Sequence, residues 1–256
     1  MIKTLRPDCE NWISDFGELL RNERHMQVEL ADYLRKTEHY DKVYVEYAVP
    51  LAMLEKRGFE VSQKVKGKKN DWTKPVDFPW HNQMRIDIVV KKGEEFAAVE
   101  LKYATTLIDK KLTAFEEALP KGVEIVKHQG AQDIVMYGYW KDVRRIEALT
   151  NFPKMVGGVA LIVTNDSMYW NKPAKKPAYE PFSTHEGHTV GGKLVWTCAT
   201  SNGCPSFKLD GAYYCHWKDT KIPFRARKDN APFRYMLSLI PPKSIEQQIQ
   251  ESKEDK

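Results

Sequence analysis

The run 156–164, VGGVALIVT, is apolar at nearly every position. A strand with only one covered face alternates apolar and polar residues; a strand that does not alternate has layers on both sides, as a central strand of an α/β sheet has. That one segment therefore predicts a sheet sandwiched between layers. The rest of the chain supplies candidates for them. Residues 16–37 place Phe16, Leu19, Leu20, Met26, Leu30, Tyr33 and Leu34 near helical spacing and predict an amphipathic helix. Residues 43–49 (VYVEYAV) read as a strand from their β-branched and aromatic content, followed by a short helix ending at Gly58 and a second strand at 59–65. Residues 66–82 are polar, basic and Pro-containing, and predict a loop. Strands 85–91 (RIDIVVK) and 95–103 (EFAAVELKY) flank Lys92, Gly93 and Glu94, a hairpin turn. Residues 106–119 predict a helix or an ordered loop, and 125–149 a long helix interrupted in propensity at Gly130 and Gly138. Beyond Thr164 lie Pro-rich loops and short strand candidates at LVWTC, AYYCHW and FRYMLSLI. Strands alternating with helices argue for an α/β core with a mixed sheet.

Composition narrows the class. Over 256 residues, 42% are hydrophobic and 29% charged, which is globular and excludes disordered or collagen-like chains. No stretch approaches about 18 apolar residues, so no membrane span is expected. The first residues lack an apolar leader, and four cysteines are too few for a disulfide framework. A cytoplasmic protein is the expectation. Forty Lys and Arg against 35 Asp and Glu leave +5, which permits an anionic partner without demanding one.

The chemistry concentrates on the hairpin. Alternation turns Val99, Leu101 and Tyr103 to one face of the second strand, and Ala98, Glu100 and Lys102 to the other. On the first strand it groups Ile86, Ile88 and Val90, with Asp87 opposite. Three charged groups thus lie in or beside a core, where charge must be paired or bind a metal. Hairpin pairing can bring Asp87 beside Glu100, and two adjacent carboxylates repel unless a cation intervenes. Magnesium favours a few carboxylate oxygens with water and phosphate oxygens. A lysine two residues on can steady charge developing on phosphorus. An acid, any residue and a lysine recur in five places here, but only Glu100/Lys102 lies in an apolar strand that follows another with its own aspartate. A buried Glu–Lys salt bridge, with Asp87 capping nearby, accounts for the same pattern, so local chemistry leaves both readings open.

The order of elements then resembles the PD-(D/E)XK nuclease superfamily, over roughly residues 16–165. An acidic N-terminal helix and a strand lead to Asp87 in MRIDIVV, then, after twelve residues, to Glu100-Leu101-Lys102, a helix and a buried strand. Position 86 is isoleucine where the motif has proline. The resemblance implies a restriction-endonuclease-like fold, Asp87 and Glu100 as ligands of Mg²⁺ or Mn²⁺, and Lys102 as the catalytic lysine. Many members add a glutamate from the first helix, for which Glu23 and Glu29 are candidates, with Glu46 a third. Some carry a polar residue on the helix after the lysine strand, a place that Gln129 or Gln132 can fill.

Three basic sets could meet a polynucleotide. Lys64, Lys66, Lys68, Lys69 and Lys74 surround Trp72, an arrangement of phosphate-neutralising lysines with a stacking ring. Lys110, Lys111, Lys121, Lys127 and His128 follow the proposed site. Lys141, Arg144 and Arg145 lie on the long helix. Cys198, Cys204, Cys215 and His216, with His185 and His188 upstream, lack the paired C-x2-C spacing of a zinc site, and small apolar cysteines in a β-rich core explain them as well.

The expectation is an α/β nuclease-like core over 1–165, a β-rich extension over 166–245 packed on it, and a polar tail over 246–256. The expected function is metal-dependent hydrolysis of nucleic acid, with DNA the favoured substrate. The extension is a candidate surface for homodimerisation or a protein partner. The alternative is a non-catalytic nucleic-acid-binding or protein-interaction module that retains the fold.

Overall fold

In the computed structural model the described residues are 1–59, 83–173, 177, 179–196 and 206–243. Helix α1 (Ile2–Asp15) buries Leu5, Cys9, Trp12 and Ile13. Helix α2 (Glu23–Lys36) begins seven residues later than its apolar spacing suggests. Its start is set by Asn22, in extended conformation, whose side chain accepts a hydrogen bond from the His25 amide at 2.8 Å. Glu23 in the first turn and Arg35 and Lys36 in the last complement the helix dipole. Strand β1 (Lys42–Val49) leads through Pro50 into α3 (Leu51–Glu55). Strands β2 (Met84–Lys92) and β3 (Glu95–Ala104) form the expected hairpin, its turn made possible by Gly93 at φ +56.

Residues 106–119 form no helix; they hold a two-residue hairpin, β4 (Thr113–Ala114) and β5 (Glu117–Ala118). Helix α4 (Gln132–Leu149) is shorter than 125–149, because Ala131 at φ +61 breaks the helical path before it. Then follow β6 (Met155–Thr164), β7 (Thr189–Leu194), β8 (Phe207–Tyr214), β9 (Trp217–Asp219) and β10 (Arg234–Ile240).

Six strands make one mixed sheet in the order β1-β2-β3-β6-β10-β9. The first three form an antiparallel meander, β6 runs parallel to β3, and β10 and β9 complete the sheet antiparallel. A parallel neighbour requires a crossover, which α4 provides. Strand β6 is central, as its composition predicts. Val159, Leu161 and Val163 pack in the cluster under α1 and α2, while Ala160 and Ile162 pack in the cluster under α4. Gly158 permits the parallel contact, since a Cβ there would lie 2.3 Å from the Ala98 carbonyl oxygen.

The segment after residue 165 does more than pack on a finished core: β9 and β10 are strands of the central sheet. The β7–β8 ribbon covers the outer side of α4, where Phe207, Leu209 and Tyr213 join Tyr137 and Trp140 in one cluster. It is fastened by Glu147, which accepts from the Asp210 and Gly211 amides at 3.0 and 2.8 Å and from the Tyr213 hydroxyl at 2.8 Å. Residues 246–256, the loop 66–82 and all but the first residue of the strand expected at 59–65 lie outside the described residues.

Candidate active site

The β2–β3 ladder runs from Lys92↔Glu95 to Ile88↔Val99 and stops. Strand β3 continues past it, paired through Ala104 only with β6. Strand β2 turns away instead and stays with β1, through Ile86, Arg85 and Met84. The strict alternation expected around Asp87 breaks here. Ile88 and Val90 pack under α1 and α2, but Ile86 and Met84 pack with Val89 on the α4 side. Opposite the break, Glu46 takes φ +52.

The parting strands leave an edge of β3 whose amides need partners, and two carboxylates supply them. The Leu101 amide donates to Asp87 Oδ2 at 2.7 Å, and the Tyr103 amide to Glu23 Oε2 at 3.1 Å. Helix α2 reaches the gap through one face. Four residues after Glu23, the buried Gln27 donates to the Asp87 carbonyl at 2.7 Å and to Glu46 Oε1 at 3.1 Å. The Tyr103 hydroxyl, held by the Leu20 carbonyl, anchors the connector before α2.

Beneath this edge lies a network of charge. Glu100 is 1% exposed, and its Oε1 accepts from Arg145 Nη1 at 3.0 Å. Arg145 also donates to Asp142 Oδ1 at 3.2 Å. The Lys102 ammonium lies 2.7 Å from Asp142 Oδ2, an ionic contact off the line of a hydrogen bond. Burial raises the Glu100 carboxyl well above its ordinary value; Arg145 opposes this, and Asp142 and Asp87 add to it. Burial likewise raises Asp87, against the Leu101 amide and with Asp142. It raises Glu23, against Lys102 and with Asp87. For Lys102, burial disfavours the charge, but Asp142, Glu23 and Glu100 outweigh it and hold the ammonium protonated. Four carboxylates thus face two tightly paired cations; Asp142 raises Asp87, Glu100 and Glu23, Asp87 raises Glu100 and Glu23, and a hydrogen bond with Glu100 works the other way on Asp87. Lys141 borders the group, its pKa lowered by burial.

Glu23, Lys102, Gln129 and Lys141 are among the residues lining an open cleft of about 590 Å³. Gly138 on α4 makes room for Lys102: a Cβ there would stand 3.3 Å from Lys102 Cε. A second hollow of about 360 Å³, lined by Tyr47, Met53, Phe96, Leu149 and Phe152, is apolar and has no part in this chemistry.

The structure thus brings Asp87, Glu100, Lys102 and Glu23 together. Glu29 does not join them; it is turned outward in an ion pair with His25 at 3.3 Å. Glu46 is held by Arg24 at 3.0 Å and by Gln27. Gln129 lies at the cleft, but on the connector before α4, its amide bonded to the Thr105 carbonyl at 2.8 Å. Gln132 is spent on Asp166. Arg144 and Arg145 are both engaged in ion pairs within the fold. The β7–β8 ribbon buries Arg144 against Asp210 at 2.8 Å, and Arg145 belongs to Glu100. Lys66, Lys68, Lys69 and Trp72 lie outside the described residues, as do Cys198 and Cys204. Cys215 is a free, buried thiol, and His216 pairs with Glu186 at 3.0 Å. Sequence reasoning missed Asp142 and the role of Arg145. Their signal was the spacing of Gly138, Asp142 and Arg145, four and three residues apart, which puts them on one face of the helix.

Among the described residues no three His, Cys, Asp or Glu side chains stand as a formed cage for a metal ion, and no helix is long and apolar enough to cross a membrane. No protein-family model, curated protein or solved structure matches the chain.

Proposed function

We propose that the protein is a metal-dependent nuclease that hydrolyses phosphodiester bonds, with DNA as the expected substrate. One observation carries the reading: the β2-side edge of β3 loses its strand partner beyond Val99 and is met instead by Asp87 and Glu23, where Lys102 lines an open cleft. The element order supports it, since an acidic helix, a strand, the Asp87 strand, the Glu100–Lys102 strand, a helix and a buried strand follow one another as the PD-(D/E)XK resemblance implies.

The donor set fits a hard divalent cation. Asp87, Glu100 and Glu23 offer only carboxylate oxygens, and burial, with the charge of neighbouring carboxylates, raises all three, a cost that such an ion relieves. They would hold Mg²⁺ or Mn²⁺, which when bound neutralises phosphate charge and makes water more acidic. The chain's own groups do the rest. Lys102, held as an ammonium, is a donor and not a base, so it stabilises negative charge gathering on the non-bridging phosphate oxygens. Lys141 and Gln129 line the same cleft and would orient the nucleic-acid strand there. The ion pairing of Glu100 with Arg145 favours a second reading, a binding module without turnover.

The test is cleavage of single- and double-stranded DNA and RNA with Mg²⁺ or Mn²⁺. The nuclease reading expects metal-dependent cleavage that falls by roughly 10²-fold or more in Asp87→Ala and Lys102→Ala. Salt-sensitive binding without turnover in a folded, metal-supplied wild type would instead establish the binding module.

A further inference from the structure

We propose that Arg145 is the resident counter-ion of the carboxylate site: its guanidinium holds the place of the divalent cation at Glu100 and must be displaced when the cation binds. This rests on reading Asp87, Glu100 and Glu23 as the cation's ligands.

Glu100 is almost completely enclosed, so its charge needs a partner whenever no metal is present. Arg145 is that partner, at 3.0 Å from Oε1. A guanidinium and a divalent cation cannot share this carboxylate without strong mutual repulsion. The two therefore compete, and the protein's affinity for metal is set partly by its own arginine. The surroundings give Arg145 somewhere to go. Its side chain is 16% exposed where that of Glu100 is 1% exposed, so it borders solvent. It also has a second seat, one turn back on α4, at Asp142 Oδ1 3.2 Å away. Asp142 works as a fork, with Oδ1 on Arg145 and Oδ2 on Lys102. Arg145 can leave Glu100 while staying tethered to Asp142, and that tether keeps Lys102 in place during the exchange.

Thermal unfolding as a function of Mn²⁺ concentration tests this without requiring turnover, because a ligand of the folded state raises the melting temperature. The set is wild type, Arg145→Gln, Arg145→Lys and Asp87→Ala. Without metal, Arg145→Gln should melt below wild type, because Glu100 loses its partner. With metal it should gain more, and the Mn²⁺ concentration giving half the rise should fall by roughly tenfold. Asp87→Ala should show no rise. Should Arg145→Gln not fold, Arg145→Lys decides: a shorter ammonium without the fork should still lower the half-point by about threefold. An unchanged or higher half-point in the Arg145 variants, with the rise still lost in Asp87→Ala, would overturn the counter-ion and leave the metal reading standing. No response in any of the four proteins would overturn both.

Discussion

Lys102 approaches Asp142 across the face of α4 at Gly138, where any side chain would meet its stem. A glycine inside a helix costs about 1 kcal/mol relative to alanine. Gly138→Ala should therefore recover part of that, while pressing a methyl group to 3.3 Å from Lys102 Cε and shifting the ammonium. We expect an unchanged or higher melting temperature together with a several-fold fall in the cleavage rate, measured on the same preparation. A variant that gains stability and loses no activity would show that the position of Lys102 is immaterial. That Asp87, Glu100 and Lys102 come together was legible in the sequence because charge inside apolar strands stands out. The choice of Glu23 over Glu29 was not. Periodicity gives a helix its apolar face, but not which turn meets the gap between two strands far along the chain. Arg145 was misread for a related reason: helix spacing does not reveal that a neighbouring strand holds a buried glutamate awaiting it.

At the scale of elements, α2 acts as a wedge. Gln27 reaches the Asp87 carbonyl at 2.7 Å and Glu46 at 3.1 Å, so the parting of β2 from β3 is held by a side chain and not by strand pairing. Gln27→Leu leaves a buried carbonyl without a donor, for a cost of about 1–3 kcal/mol. Urea denaturation should report that loss, with Mn²⁺ affinity falling alongside it because the Asp87 backbone is released. A full loss of stability with unaltered metal affinity would separate the wedge from the site. The break in alternation at Asp87 could not be read from MRIDIVV, because its cause lies in Glu23, Gln27 and Glu46. The late start of α4 had a similar origin: the apolar spacing extends the helix back to 125 despite Gly130, yet the chain there is tied instead to Thr105 through Gln129 and Lys127.

At the scale of the whole molecule, the central position of β6 followed from its unbroken apolar run, whereas the membership of β10 in the same sheet did not. FRYMLSLI reads equally well as a strand of a separate ribbon, and only its pairing with β6 decides. The region between them carries its own sensitivity to pH. His185 and His188 stack with ring centroids 4.6 Å apart, and burial, with the nearby Lys172, lowers both below 6.5. As pH falls below 6.5 the unfolded chain takes up these protons first, so folded stability is lost from there down through the lowered values. His185→Asn/His188→Asn should flatten that decline in urea midpoints measured against pH, and an identical decline in the double variant would assign it elsewhere. The claim on which the account turns is that the parted strands form a divalent-metal site, and calorimetric titration of Mn²⁺ into wild type and Asp87→Ala tests it most directly. The account predicts binding in the wild type that disappears in Asp87→Ala; equal binding by the two proteins, or none by either, would contradict it.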